Sequence, residues 1–114
     1  MPTMEINSPF ALITAPTLTA TGAQAITVNV WETFIKPPTL TGNITLNLTL
    51  GTQLRVGAKI FVQVTTTATE TVTFGTGFTS GQTIITGVAG KTFSQMFIYD
   101  GTAFNAVAAN KQVN

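Results

Sequence analysis

The chain has no cysteine and no histidine among its 114 residues, and only 8% of its side chains are charged. Without thiols there are no disulfides, so the fold must hold by packing alone. Without imidazole or thiolate, the commonest general base, the commonest transition-metal ligands and the sulfur nucleophile are all missing. Soluble domains carry about 25% charged residues, so the shortage of charge is the strongest anomaly in the composition. Lys36, Arg55, Lys59, Lys91 and Lys111 stand singly against Glu5, Glu32, Glu70 and Asp100, giving a net charge of +1. Five isolated cations make no groove for a nucleic acid. Long apolar runs are missing too. The uncharged stretches 6–31 and 71–90 are interrupted by Pro, Gly, Asn, Gln and Thr, so neither reads as a membrane helix. A membrane barrel would call for an export signal and aromatic girdles. Met1-Pro2-Thr3-Met4-Glu5 lacks the basic stretch and compact apolar run of such a signal.

What fills the chain instead is threonine, at 24 positions, while serine occurs only at Ser8, Ser80 and Ser94. A branched β-carbon suits a pleated, half-buried surface, so this bias points to strands rather than to disorder. The length fits about one domain, able to bury roughly 60–70% of its unfolded surface.

Residues 1–22 carry Pro2, Pro9 and Pro16 around the short apolar run Phe10-Ala11-Leu12-Ile13, which reads as an extended amino-terminal arm. A β-domain over 23–109 and a polar tail over 110–114 complete the organisation. Within the domain Ile26, Val28 and Val30 alternate with polar residues in a strand predicted to end before Pro37-Pro38. Ile44, Leu46, Leu48 and Leu50 form the cleanest half-buried row; Leu54 and Val56 suggest a short strand, and Ile60, Val62 and Val64 another inward row. The stretch VQVTTTATETVTF, residues 62–74, is too long for one strand. A loop near Thr67-Ala68-Thr69 would make it a hairpin with Val64 opposite Val72 and Val62 opposite Phe74. Thr83–Thr86 is a further short strand. Asp100-Gly101 between Thr92–Tyr99 and Thr102–Ala108 predicts a type I′ hairpin, with Phe97 facing Phe104. Thr17-Leu18-Thr19 and Thr39-Leu40-Thr41-Gly42 look alike, but no fixed period extends the likeness. Helical periodicity is weak throughout. The expectation is an all-β fold, an antiparallel β-sandwich, with the jelly roll as one form of it, preceded by the arm.

No catalytic, cofactor-binding or metal-binding residue emerges. The four carboxylates share no local motif, and Glu70 and Asp100 sit at predicted turns, where solvated turn residues are the plainer reading. Lys91 and Ser94 are three apart, which on a strand places them on opposite faces and argues against a Ser-Lys dyad. Gly75-Thr76-Gly77-Phe78-Thr79-Ser80-Gly81 lacks the lysine and following helix of a phosphate loop. The triplets Asn43-Ile44-Thr45 and Asn47-Leu48-Thr49 match the glycosylation pattern, but both fall on a strand of a chain whose start does not read as an export signal. Threonine rows also occur on ice-binding surfaces, which need the rows in register on adjacent strands; Thr17/Thr19/Thr21, Thr39/Thr41 and Thr65–Thr73 differ in spacing.

A surface this poor in charge falls far below the roughly 25–35% that solubility favours. Soluble monomers usually blunt strand edges with lysine, proline or covering elements, and this chain has only four lysines. Packing among other subunits follows as the expectation, with Phe10, Leu12 and Ile13 as partner-binding anchors of the arm and no cofactor. The segments Val72-Thr73-Phe74-Gly75-Thr76-Gly77-Phe78, Gly87–Thr92 and Phe97-Ile98-Tyr99-Asp100-Gly101-Thr102-Ala103-Phe104 resemble small virion-associated proteins of tailed bacteriophages, over about the last third of the chain. That resemblance implies a β-rich, oligomeric capsid decoration, head-fibre or related accessory protein located in the virion. Its partners would be identical subunits and a major capsid or fibre protein, with no nucleic acid and no membrane. The alternative is a carbohydrate- or receptor-binding module of a phage fibre, with Trp31 or Tyr99 as its platform.

Overall fold

The computed structural model describes residues 13–114. Among them, ten strands form two sheets that share one hydrophobic core. The strands are β1 (Ile13–Thr14), β2 (Gly22–Val28), β3 (Glu32–Ile35), β4 (Ile44–Leu50), β5 (Lys59–Thr65), β6 (Thr71–Phe74), β7 (Ile85–Thr86), β8 (Thr92–Tyr99), β9 (Phe104–Ala106) and β10 (Lys111–Gln112). One sheet runs β1-β3-β5-β8-β10, with β9 also on β8, and the other runs β2-β4-β6-β7. The all-β expectation holds; the purely antiparallel one does not.

From β1 to β6 the chain passes from one sheet to the other at every strand, and each strand lies parallel to the one two places before it. The path is therefore a flattened coil. One turn advances 19 residues from Ile13 to Glu32, 22 from Gly22 to Ile44, 27 from Glu32 to Lys59 and 28 from Ile44 to Val72. Only the last third is antiparallel: β7 on β6, and β8 on β5 with β9 and β10 beside it. Period-two alternation is the same for parallel and antiparallel neighbours, so the inward rows were readable while their partners were not.

The stretch 62–74 shows this directly. Its loop falls at 67–69 as expected, and Val62, Val64, Val72 and Phe74 are all buried. Yet it is an arch between sheets, not a hairpin. Val64 pairs with Phe93 and Val62 with Gln95, while Val72 pairs with Ile44 and Ile85, and Phe74 with Leu46. The arch is fixed by Glu70, whose carboxylate accepts the Thr67 and Ala68 N–H groups at 2.9 and 3.0 Å and the Thr67 hydroxyl at 2.6 Å. These donors are thereby withdrawn from any ladder between β5 and β6.

Three other expectations are corrected. The strand drawn up to Pro37 is two strands, because the chain crosses between sheets at residues 29–31 and the buried positions change from even (Ile26, Val28) to odd (Thr33, Ile35). Leu54 is buried but, like exposed Val56, lies in a corner rather than a strand; Gly57, at φ +95°, turns the chain there. The final hairpin is shifted by two residues: Tyr99 pairs with Phe104 and Phe97 with Ala106. A type I′ turn needs positive φ at both central residues, and only Gly101 has it. Asp100 instead folds a four-residue loop, its carboxylate accepting the N–H groups of Thr102 and Ala103 at 2.8 and 2.9 Å. Because the shift is even, Phe97 and Phe104 still both face the core.

The two Thr-Leu-Thr segments are stacked turns of the coil. Leu18 lies four residues before Gly22 and Leu40 four before Ile44, the register partners that open β2 and β4, and both leucines are buried. Thr41 N–H donates to Ala20 O across the two turns at 3.0 Å. No fixed period shows because the later steps are longer. Three asparagines tie successive turns together: Asn29, Asn43 and Asn47 each accept, through Oδ1, a backbone N–H from Gln53, Thr71 and Thr76 respectively.

Candidate interaction surface

Both sheets bury one face and present the other. On the β2-β4-β6-β7 sheet the outward residues are small or uncharged: Ala23, Ala25 and Thr27 on β2, Thr45, Asn47 and Thr49 on β4, Thr71 and Thr73 on β6. The other sheet differs. Phe34 on β3 pairs with Phe61 on β5, and Phe61 pairs with Met96 on β8, so register alone lines up three large apolar side chains across the strands. Alternation turns them outward, because their neighbours Thr33, Ile35, Ile60, Val62, Gln95 and Phe97 are the buried ones. Phe34 remains 38% and Phe61 47% exposed.

This row runs into a groove of about 270 Å³ formed by Phe61, Ser94, Met96 and the segment Val107-Ala108-Ala109. The wall of the groove is held by backbone and amide contacts. Val107 N–H donates to Met96 O at 3.0 Å, and Gln95 Nε2 donates to Ala108 O and to Met96 O. Glu32 and Lys59, register partners one pair away from Phe34 and Phe61 on the same face, place opposite charges at the margin of the apolar row. The sequence signal for the row was present in Phe34, Phe61 and Met96, but it needed the parallel register of β3 and β5 to become a surface.

Phe10 and Leu12, two of the three expected arm anchors, lie outside the described residues. The third, Ile13, pairs through its backbone with Glu32, adding β1 to the protein's own sheet. Leu18 then enters the core, so the described part of residues 13–22 is laid against the domain. Residues 111–112 of the polar tail form β10 on the opposite edge of the same sheet. Ile44, Leu46 and Leu48 are core residues, and Leu50 packs partly buried against them. Trp31 is 45% exposed, whereas Tyr99 packs on Phe104 at 5.2 Å and its hydroxyl donates to Gly101 O, which leaves Trp31 as the freer aromatic platform.

Two carboxylates, Glu70 and Asp100, are committed to loop architecture. The Thr67 hydroxyl and the Ala68 N–H hold the Glu70 carboxyl below its usual range. The Ala103 and Thr102 N–H groups, with the Asn105 amide, do the same for Asp100. Both carboxylates therefore act as hydrogen-bond acceptors that shape turns. Among the described residues no group of three His, Cys, Asp or Glu side chains could hold a metal ion. No helix among them is long and apolar enough to cross a membrane, which says nothing of strands. The glycine-rich stretch 75–81 packs as structure. Phe78 packs edge-on against Phe74 and Phe97 at 5.1 and 4.8 Å, Thr79 N–H donates to Phe104 O, and Gly77 O accepts Phe104 N–H. Gly77, at φ +90°, leaves no space for a β-carbon, which would come within 2.5 Å of Leu48 Cβ. The chain matches no protein-family model, no curated protein and no solved structure.

Proposed function

We propose that this chain is a non-enzymatic structural subunit of a virion, of the capsid decoration or head-fibre type, acting through protein–protein assembly. The observation that carries this reading is the outward row Phe34–Phe61–Met96 with its adjoining groove. It lies on the six-stranded sheet of a protein with 8% charged residues. Covering the part of each phenylalanine that is still exposed contributes on the order of 1 kcal/mol, and aromatic and methionine side chains are enriched where protein surfaces meet. The resemblance of the last third of the chain to small virion-associated phage proteins supports the particle as the setting, and a neighbouring virion subunit is the occupant of the face.

The test is Phe61→Lys in the full chain. Phe61 is outward and half-exposed, so thermal stability should change little. Co-sedimentation with purified particles should fall at least tenfold. Unchanged co-sedimentation would remove the face from the reading. Exposure of Trp31 supports the carbohydrate- or receptor-binding alternative. Glycan-array binding that Trp31→Ala abolishes, with particle binding absent, would select it.

A further inference from the structure

The two sheets end in four edges, and three are short. β1 and β7 each have two residues, and the edge beside β8 is made of the separate short strands β10, two residues with Lys111, and β9, three residues. β2 is the exception. It is seven residues long, reads Gly22-Ala23-Gln24-Ala25-Ile26-Thr27-Val28, contains neither charge nor proline, and pairs with β4 one to one without a bulge. Among the described residues nothing pairs with its far side. Among the described residues every device that normally protects a strand edge is missing from it.

Its backbone phase is defined by two bonds. Gly22 N–H donates to Asn43 O, and Val28 O accepts Gly51 N–H, so the even-numbered residues of β2 direct their backbone groups to β4 and its corners. By alternation Ala23, Ala25 and Thr27 direct theirs to the open edge. Their side chains are outward and exposed.

We infer that β2 is a self-complementary edge through which two copies of this chain pair antiparallel about a two-fold axis at Ala25. In that register Ala25 faces Ala25 of the second copy, Ala23 faces Thr27, and Gln24 faces Ile26. The free backbone groups at 23, 25 and 27 then meet as consecutive hydrogen-bonded pairs, about six bonds in all by antiparallel geometry. Outward residues meet outward residues and inward meet inward, so each core continues into the other. No like charges meet. A closed pair results rather than a filament, because the other edge of this sheet is β7, only two residues long. The inference uses an edge and not the Phe34–Phe61–Met96 face, so either can fail alone.

Ala25→Cys in the full chain supplies the test, since the protein has no other thiol. Hydrogen-bonded antiparallel partners sit about 5.5 Å apart at Cα, within disulfide range. Mild oxidation should convert most of the 12.0 kDa chain to a covalent dimer. Thr27→Cys is the positional control: offset by four residues at about 3.4 Å each on strands about 4.8 Å apart, its two copies would lie roughly 14 Å from each other and should cross-link at least tenfold less. Ala25→Lys should shift sedimentation of the otherwise native chain from dimer to monomer, while Phe61→Lys leaves the dimer intact. Equal cross-linking at 25 and 27, or a wild-type monomer at high concentration, overturns the inference. So does protection of the thiol introduced at position 25 by another segment of the same chain.

Discussion

The coil, residues 13–74, and the antiparallel portion that follows are built from the same alternating apolar and threonine-rich strands, yet they are joined in different ways. In the coil every neighbour is a full turn away, 19 to 28 residues along the chain. In the last third β8 and β9 are neighbours across a four-residue loop. Within the coil, pairing is fixed by corners: the Glu70 arch, the Asn29, Asn43 and Asn47 amides, and the passage at residues 29–31. In the antiparallel part the β8–β9 pair is fixed by a local turn, while β8 reaches back to β5 across 27 to 39 residues. The same strand chemistry thus yields long-range or short-range pairing according to what its connections do with their backbone N–H groups.

The contrast would break if the two parts proved energetically separate. Phe97 belongs to β8 but packs at 4.7 Å on Phe74 at the end of the coil and at 4.8 Å on Phe78 just beyond it, and it is fully buried. Phe97→Ala should therefore lower the stability of the whole domain by about 3–5 kcal/mol. Denaturant unfolding should remain a single transition at a lower midpoint. Two transitions in the variant would show that the coil stands without its antiparallel cover.

Acid sharpens the contrast at the arch. The Glu70 carboxyl is lowered below its usual 4.5 by its folded hydrogen bonds, so it contributes stability that is present above that value. The contribution is lost as pH falls from about 4.5 through the lower folded value. Glu70→Gln should reduce the melting temperature at pH 7 and flatten its decline between about pH 5 and 3, measured by circular dichroism. An unchanged acid profile would assign the decline to Asp100, the other lowered carboxyl, and so to the antiparallel part.

Inside the coil the smallest effect has the opposite sign. Thr33 is buried on β3, and its hydroxyl is the one fully buried side-chain polar atom without a hydrogen-bond partner among the described residues. Thr33→Val removes that hydroxyl at similar volume and should raise stability by about 1 kcal/mol. A loss of stability would mean that the hydroxyl is satisfied in solution.

What the sequence made legible follows the same division. The row Ile44–Leu50 coincides with β4, and Ile60, Val62 and Val64 point inward on β5, because burial writes a two-residue period whatever the neighbour. Asp100-Gly101 marks a reversal correctly because turn chemistry is local; the turn type differs from expectation because the Asp100 side chain engages Thr102 and Ala103. The arch at 67–69 resembles a hairpin loop in sequence because Glu70 bonds its neighbours in a way that composition does not reveal. The recurrence of Thr-Leu-Thr is visible, but unequal corner lengths remove the fixed period that would expose a coil. The Phe34–Phe61–Met96 row is a product of register, so it is hidden for the same reason.

The corner between β4 and β5 spans residues 51–58, whereas the crossing between β2 and β3 needs only 29–31. Successive layers are thus kept in step while the outer bend absorbs surplus chain, with Thr52, Gln53, Arg55 and Val56 exposed along it. On the assembly proposed above, that bend is an attachment point pointing elsewhere: a grafted peptide there lengthens a loop, at a cost that grows only logarithmically, and displaces no rung of the stack.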